Sequence, residues 1–381
     1  MVCEDNKGNN AVFCPLLTDE TIAGTLASSQ SLPTLPFDLI VEILCRLTVK
    51  FLLQFRCVCK SWKSLISSPK FVKKHLRLST TRLVHTLTSS TNQSHNYILN
   101  SIFNDVSTNV ALLEYHSKHL DHFIGSCNGI LCLADIYDGL FRLWNPSIRK
   151  FKELPHLKKH DYKNDNMMMY GFGHDPVLDN YKVVVVLRSH GHLVTKKTYG
   201  KVYTLGTNFW KNIEEFPFGC VAVQQRSGTF VSGPINWLVS RMYPTRRQHF
   251  IASFDLRNES YQEVFLPDCR VVDVYNLRLG ALGVLRDCLC LVFRNDVWVM
   301  KEYGNHESWT KLFAITYMQD LPISYDNIKV LNIFGDNQVL LKSTEWTDKL
   351  IVYNFKNCTY KYTKFGNSAE VCGESLISSC F

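Results

Sequence analysis

A chain of 381 residues with 46% hydrophobic and 20% charged side chains has an ordinary globular composition and the length for two domains. No apolar run approaches a membrane span; the longest conspicuous one is Val183 to Leu187, and Val12 to Leu17, broken by Pro15, is too short for the core of a secretion signal. The net charge of +8 is concentrated: no acidic residue stands between Glu42 and Asp105, an interval with ten basic ones, while the rest of the chain carries 32 basic against 34 acidic residues. That interval implies an acidic partner surface or nucleic acid. Fourteen cysteines diluted over this length, with no C-x-x-C, point to reduced thiols in the cytosol or nucleus. The C-x-C pairs Cys57/Cys59 and Cys288/Cys290 lack the matched second cluster of a zinc site, so buried structural thiols are expected, and no metal.

Residues 1–31 are polar and short of aromatics and read as a disordered tail. Residues 32–78 read as a compact run of three short amphipathic helices. Pro36 suits a first helical turn and Asp38 complements the positive helix end. Leu39, Ile40, Ile43, Leu44 and Leu47 recur at helical spacing. After a break at Thr48-Val49, Leu52, Leu53, Phe55 and Val58 mark a second helix. Trp62, Leu65 and Ile66 mark a third, which Ser67-Ser68-Pro69 stops. The cluster has more apolar positions than it can hide, which marks a protein interface. A DNA-reading helix-turn-helix would aim polar side chains at base edges, whereas the third helix uses Trp62, Leu65 and Ile66 for packing, so nucleic acid is not the expected partner.

This segment resembles the F-box, the module by which substrate receptors attach to the Skp1 adaptor of cullin-type ubiquitin ligases. The matching residues are Leu35-Pro36, Asp38-Leu39-Ile40, Glu42-Ile43-Leu44, Arg46-Leu47, Val49-Lys50, Leu52-Leu53, Phe55 through Trp62, and Leu65-Ile66. Thr48 stands where proline is usual, and Phe51 where a small polar residue is usual. Carried over by position, the resemblance implies that Leu35, Pro36, Leu39, Ile43, Leu44, Leu52, Val58, Cys59 and Trp62 face the adaptor or shape that face.

Residues 79–95 read as a connecting strand and linker, and residues 96–381 as β throughout. Apolar strands ending at aromatic-polar corners recur as Arg142–Asn145, Lys201–Thr204, Ala252–Asp255, Val297–Met300 and Ile351–Asn354, at offsets of 59, 51, 45 and 54 residues. Several are followed by a second signature, at Phe151–Pro155, Trp210–Ile213, Tyr261–Pro267 and Trp309–Phe313. Between them lie turn-then-strand units such as Cys127–Leu133 and Leu285–Leu291. A period near 50 with about four strands per repeat is the pattern of β-propeller blades, and the length gives about six. A β-sandwich would show no such long period. The expected fold class is therefore multi-domain: a small three-helix unit followed by an all-β propeller.

This region also resembles the F-box-associated, kelch-like domain of plant F-box proteins. The residues that carry it include Gly125–Gly129, Leu143-Trp-Asn-Pro146, Tyr170–Gly173, Tyr181-Lys-Val183, Gly233–Trp237 and Phe254–Leu256. The paired glycines of true kelch repeats are missing.

No catalytic pattern stands out. His190-Gly-His192 lacks a partner carboxylate nearby, Glu214-Glu215 are merely adjacent, and Met167–Met169 read as packing. There is no P-loop, G-x-S-x-G or H-E-x-x-H. The resemblance implies a non-catalytic substrate-recognition subunit of a Skp1–cullin–F-box ubiquitin ligase, cytoplasmic or nuclear, without cofactor or membrane contact. Its partners are then an Skp1-type adaptor, through it a cullin, and an unknown protein substrate. Alternatives are an adaptor-bound scaffold with a non-degradative role and a glycan-binding propeller. Substrate capture would fall to the longer polar connections, His156–Asn166, Arg188–Tyr199, Arg241–Gln248 and Lys301–Ser308. Three carry basic pairs, Lys158-Lys159, Lys196-Lys197 and Arg246-Arg247, which suggest a basic rim for an acidic target.

Overall fold

The structure is a computed structural model that describes residues 35–78, 82–90, 93–99, 110–113, 122–158, 167–188, 198–216, 221–222, 225–242, 247–267, 279–316, 328–335, 337–343, 349–366 and 368–377. The chain divides into two compact units, 1–78 and 79–381.

The first unit has four helices: α1 (Phe37–Cys45), α2 (Val49–Phe55), α3 (Lys60–Ser67) and α4 (Pro69–Leu78). The sequence predicts three, with a stop at Ser67-Ser68-Pro69. That stop is also a start. Ser68 is extended at ψ 139°, and its Oγ accepts the N–H of Phe71 at 3.3 Å while donating to the Leu65 carbonyl at 2.8 Å. Pro69 then occupies the first turn of α4, where its missing N–H costs nothing. The core holds Leu44, Cys45, Val49, Leu52, Ile66 and Phe71. His75, also buried, ties α4 to the end of α1 through Nε2, 2.8 Å from the Leu47 carbonyl oxygen. Phe55 and Trp62 meet edge to face at 5.3 Å, joining α2 to α3.

The second unit is a β-propeller. Five antiparallel sheets follow one another along the chain. They are β4 (His122–Cys127) to β7 (Lys150–Glu153), with β5 (Ile130–Asp135) and β6 (Leu140–Asn145) between; then β8 (Met167–Asp175), β9 (Asn180–Arg188), β10 (Thr198–Thr204) and β11 (Trp210–Glu215). The third comprises β12 (Val221–Ala222), β13 (Thr229–Phe230), β14 (Pro234–Met242), β15 (Arg247–Asp255) and β16 (Ser260–Val264), with β12 and β13 both pairing β14. The fourth is β17 (Leu279–Leu285), β18 (Cys288–Phe293), β19 (Asp296–Met300) and β20 (Trp309–Ala314). The fifth is β21 (Ile328–Phe334), β22 (Gln338–Ser343), β23 (Lys349–Asn354) and β24 (Thr359–Gly366). A further four-stranded sheet joins the two ends of the unit: β25 (Ser368–Gly373) pairs with β1 (Arg82–Ser90), which pairs with β2 (Gln93–Leu99) and β3 (Val110–Leu113). Residues 82–90 and 93–95, read above as connecting strand and linker, thus belong to this closing sheet. Residues 1–31 lie outside the described residues.

The recurring signatures fall at matching places. The five aromatic-polar corners end β6, β10, β15, β19 and β23, the third strand of each consecutive blade. In three of them the last residue, Asn145, Asp255 or Asn354, accepts at Oδ1 the backbone N–H two residues on, at 2.7–3.0 Å. Asp135 and Asp175 do the same at the ends of β5 and β8. Four residues after each of the five stands a positive φ between 52° and 64°, at Gly139, Arg149, Asp179, Glu259 and Cys358. A side-chain acceptor that mimics a turn followed by a left-handed residue is what returns a strand antiparallel in so few residues.

Packing runs between faces of neighbouring blades. Phe141 and Leu143 meet Phe172 and Tyr203; Val184 and Met169 meet Trp237 and Phe250; Val292 and Val297 meet Leu341 and Tyr353. Leu131, Leu133 and Trp144 cluster with Cys372 of the closing strand. Met169 is therefore strand core, as its run suggests. Both faces of the inner strands are covered, so β5 and β6 are buried along their whole lengths.

Candidate functional site

Seven large apolar side chains of the helical unit stay exposed, one of them Leu78 at the end of α4, at 47%. Leu35, Phe37, Leu39 and Ile43, at and beside α1, are 46–61% exposed, and so are Phe51 of α2 at 49% and Val58 of the α2–α3 turn at 58%. Leu39 and Ile43 are four residues apart and share an outer face. Leu44 and Leu52, at 2% and 0% exposure, belong to the core of the unit instead of its surface. Pro36 is exposed, and Cys59 and Trp62 are half-buried. Of the nine residues assigned to the face, then, seven are exposed or half-buried and two are buried. Phe37 was not among the assigned residues because the assignment followed the positions that match the F-box, and Phe37 falls between two of them, Leu35-Pro36 and Asp38-Leu39-Ile40.

Where α2 meets α3 the surface dips into an open groove of about 580 Å³, lined by Leu53, Arg56, Cys57, Val58, Cys59, Lys60 and Lys63. Its lining has three cations, two thiols and no carboxylate. Arg46, just past the end of α1, is engaged by Glu42 at 2.6 Å. Cys57 is exposed, its thiol 3.7 Å from the Leu53 carbonyl oxygen, and the Cys59 Sγ lies 3.1 Å from Ser61 Oγ. On α4, Lys70, Lys73, Lys74 and Arg77 are exposed. The acid-free interval thus places basic side chains in the α2–α3 groove and along the exposed side of α4.

In the propeller, strand direction sorts the connections. Antiparallel strands alternate, so first-to-second and third-to-fourth connections of a blade leave from one end, and second-to-third and blade-to-blade connections from the other. The strands that bracket three candidate connections, β7 and β8, β9 and β10, β14 and β15, place those connections on the second end. Lys158 is described there and is exposed. Lys159, Lys196, Lys197 and Arg246 lie outside the described residues, as does His190-Gly-His192, and Arg247 is described only as the start of β15. The fourth candidate, Lys301–Ser308, joins β19 to β20 and leaves from the opposite end. It is also anchored: the Tyr303 hydroxyl lies 2.6 Å from both Asn236 Oδ1 and Ser253 Oγ, with Asn236 and Ser253 fully buried. Burial pushes that hydroxyl's pKa up, against its hydrogen bonds with Ser253, Asn236 and Gln262. This connection is braced against the neighbouring blade, unlike a free recognition loop.

Among the described residues no group of three His, Cys, Asp or Glu side chains is placed to hold a metal ion. No described helix is long and apolar enough to cross a membrane. The thiols of Cys127, Cys132, Cys290 and Cys372 are buried, and burial pushes their pKa values up, to about 12 for Cys290 and Cys372. They behave as small apolar side chains.

Residues 70–371 match the F-box associated beta propeller domain family, and residues 32–74 match the F-box domain. The chain is a plant F-box protein. It is 32% identical over 358 residues to an F-box/kelch-repeat protein of Arabidopsis thaliana, covering 90% of this chain and 93% of that protein. It is 28% identical over 382 residues to the F-box protein CPR1 of Arabidopsis thaliana, covering 91% and 89%. A third Arabidopsis thaliana F-box protein is 29% identical over 324 residues, covering 75% and 74%. The exposed apolar row and the basic groove are therefore surfaces of the F-box, and the sheets from β1 to β25 are those of its associated propeller.

Proposed function

We propose that this F-box protein is the substrate-recognition subunit of a Skp1–cullin–F-box ubiquitin ligase. The F-box binds an Skp1-type adaptor and through it a cullin, and the propeller holds a protein target. The observation that carries this reading is the row Leu35, Phe37, Leu39, Ile43, Phe51 and Val58. These apolar side chains stay exposed on a unit too small to stand on its own core alone. A face of this kind is stable when a partner covers it. The basic groove and α4 surface favour an acidic partner.

On this reading the chain supplies no active site. Its contribution is effective concentration: a target held on the propeller meets the ubiquitin-carrying enzyme as a near-intramolecular partner. The target-binding end is the one from which the β7–β8, β9–β10 and β14–β15 connections leave, because the opposite end is closed by short capped turns and the braced Lys301–Ser308 segment.

The test is co-purification with an Skp1-type adaptor, comparing the wild type with Leu39→Ala/Ile43→Ala. Capture by the wild type and its loss in the double variant support the reading. Equal capture by both, or capture by neither, rejects it.

A further inference from the structure

We propose that Cys57 is a modification site at which small anionic disulfides, of the glutathione disulfide class, form a mixed disulfide that blocks the adaptor face. The regulatory half of this inference rests on the adaptor-docking reading; the site itself does not. Four features of the α2–α3 groove converge. Cys57 is exposed and so within reach of a disulfide. A second thiol, Cys59, lines the same groove, which has room for a tripeptide-sized occupant. Arg56, Lys60 and Lys63 line it too, with no carboxylate among the lining residues, so an anionic reagent is drawn in and a cationic one repelled. Val58, 58% exposed, lies next to the thiol, so any group attached to Cys57 covers part of the apolar row.

The chemistry is thiol–disulfide exchange. The Cys57 thiolate, its proton given to solvent, attacks one sulfur of the disulfide. A protein–S–S–glutathione bond forms, the S–S bond of the reagent breaks, and the departing half leaves as a thiolate that takes up a proton. Oxidising equivalents come from the disulfide itself, and excess thiol reverses the step. The attached group adds carboxylates to a basic groove and bulk to an apolar face, both of which oppose docking of an acidic partner.

Cys358, exposed in the β23–β24 turn, serves as an internal control. The full chain is incubated with glutathione disulfide, and labelling of each cysteine is followed by peptide mass mapping. The same is done with cystamine, a cationic disulfide, and with the variant Arg56→Gln/Lys60→Gln/Lys63→Gln. The expected result is that glutathione disulfide labels Cys57 about tenfold faster than Cys358, and that this preference disappears with cystamine and in the charge variant. Equal rates at the two cysteines, or a preference that survives either change, overturn the site. Adaptor capture is then measured before labelling, after it, and after dithiothreitol, beside Cys57→Ser. Loss on labelling, recovery with dithiothreitol and indifference of Cys57→Ser support the block; undiminished capture by the labelled chain overturns it. If the unlabelled chain captures no adaptor, the docking reading falls and the labelling rates still decide whether the anionic site exists.

Discussion

Lys182 of β9 places its Nζ 3.0 Å from Glu259 Oε1, which belongs to the β15–β16 turn of the next blade. The lysine is 3% exposed, and it also donates to the Leu256 carbonyl at 2.6 Å and lies 3.8 Å from Asp175 Oδ2. Lys211 closes on the other Glu259 oxygen at 2.7 Å. Two blades are thus pinned by a buried cation shared between two carboxylates. A buried cation held this way is costly to lose, because removing it leaves Asp175, fully buried, without its counter-charge. Lys182→Met is expected to destabilise the propeller by about 3 kcal/mol, read by urea denaturation. A loss below about 0.5 kcal/mol would show that the pair is screened as at a surface.

The same contact gives stability a pH dependence. Burial alone would raise the Glu259 carboxyl; hydrogen bonds from Lys211 and Lys182, and their charges, outweigh it and hold the group below its ordinary value. A carboxyl lowered on folding stabilises the folded state fully above its unfolded pKa, about 4.3, and the benefit is lost as pH falls through the lower, folded pKa. Thermal melts of wild type and Glu259→Gln should differ at pH 6–7 and converge below about pH 4. A gap that widens on the acid side contradicts this.

Two tryptophans repeat one contact at different blade junctions. Trp210, opening β11, donates its indole N–H to the Pro155 carbonyl at 2.7 Å, and Trp309, opening β20, donates to the Phe265 carbonyl at 3.0 Å. Each links the outer strand of a blade to the exit of the previous one. Replacement by phenylalanine keeps most of the apolar area and removes the donor, so Trp210→Phe and Trp309→Phe should each cost about 1–2 kcal/mol. Replacement by alanine should cost about 3–5 kcal/mol. Calorimetry on the four variants checks whether the two junctions respond alike.

Ring closure concentrates on Asn145. Its Nδ2 donates to the carbonyls of Ser375 at 3.1 Å and Ile377 at 3.0 Å, its Oδ1 caps the β6–β7 turn, and Ser147 Oγ receives the Ser375 N–H at 3.2 Å. Gly129 lets the segment approach: a Cβ there would stand 2.2 Å from the Ser375 Cβ, on a backbone at φ 77°. Asn145→Ala is expected to free the C-terminal segment, lowering stability by about 2 kcal/mol and speeding cleavage near Ser375 by a non-specific protease, with cleavage elsewhere little changed. Uniform acceleration along the chain would instead mean a global effect.

The parts of this fold that are local in sequence were legible in it. The corners ending β6, β15 and β23 are visible because a polar acceptor after an aromatic strand is itself the turn-forming device. The closing sheet was not legible, since Arg82–Leu87 pairs with Ser368–Gly373 and no local pattern encodes a partner so far along the chain. Helix α4 was missed because Ser68-Pro69 reads equally as an end and a beginning. The Lys301–Ser308 segment looks like a free polar loop until Tyr303 is found anchored on Asn236 and Ser253, two buried polar residues of another blade. Composition cannot show which polar residue has a distant partner.

Leu39 and Leu52 separate what the F-box needs for folding from what it offers a partner. The resemblance assigns both to the adaptor face, yet Leu52 is fully buried and Leu39 is 46% exposed. Leu52→Ala removes packed methyl groups and should destabilise the helical unit by about 2–5 kcal/mol, weakening adaptor capture only through unfolding. Leu39→Ala should shift stability by less than about 0.5 kcal/mol, since surface truncations rarely do more, and yet weaken adaptor capture by about tenfold or more. Circular dichroism melts of the helical signal, read beside capture at a temperature where both variants are folded, distinguish the two effects. At that temperature Leu52→Ala should recover capture and Leu39→Ala should not. The reverse order would mean that the docking surface lies on another face of the unit, and the basic surface of α4 would then be the next to test.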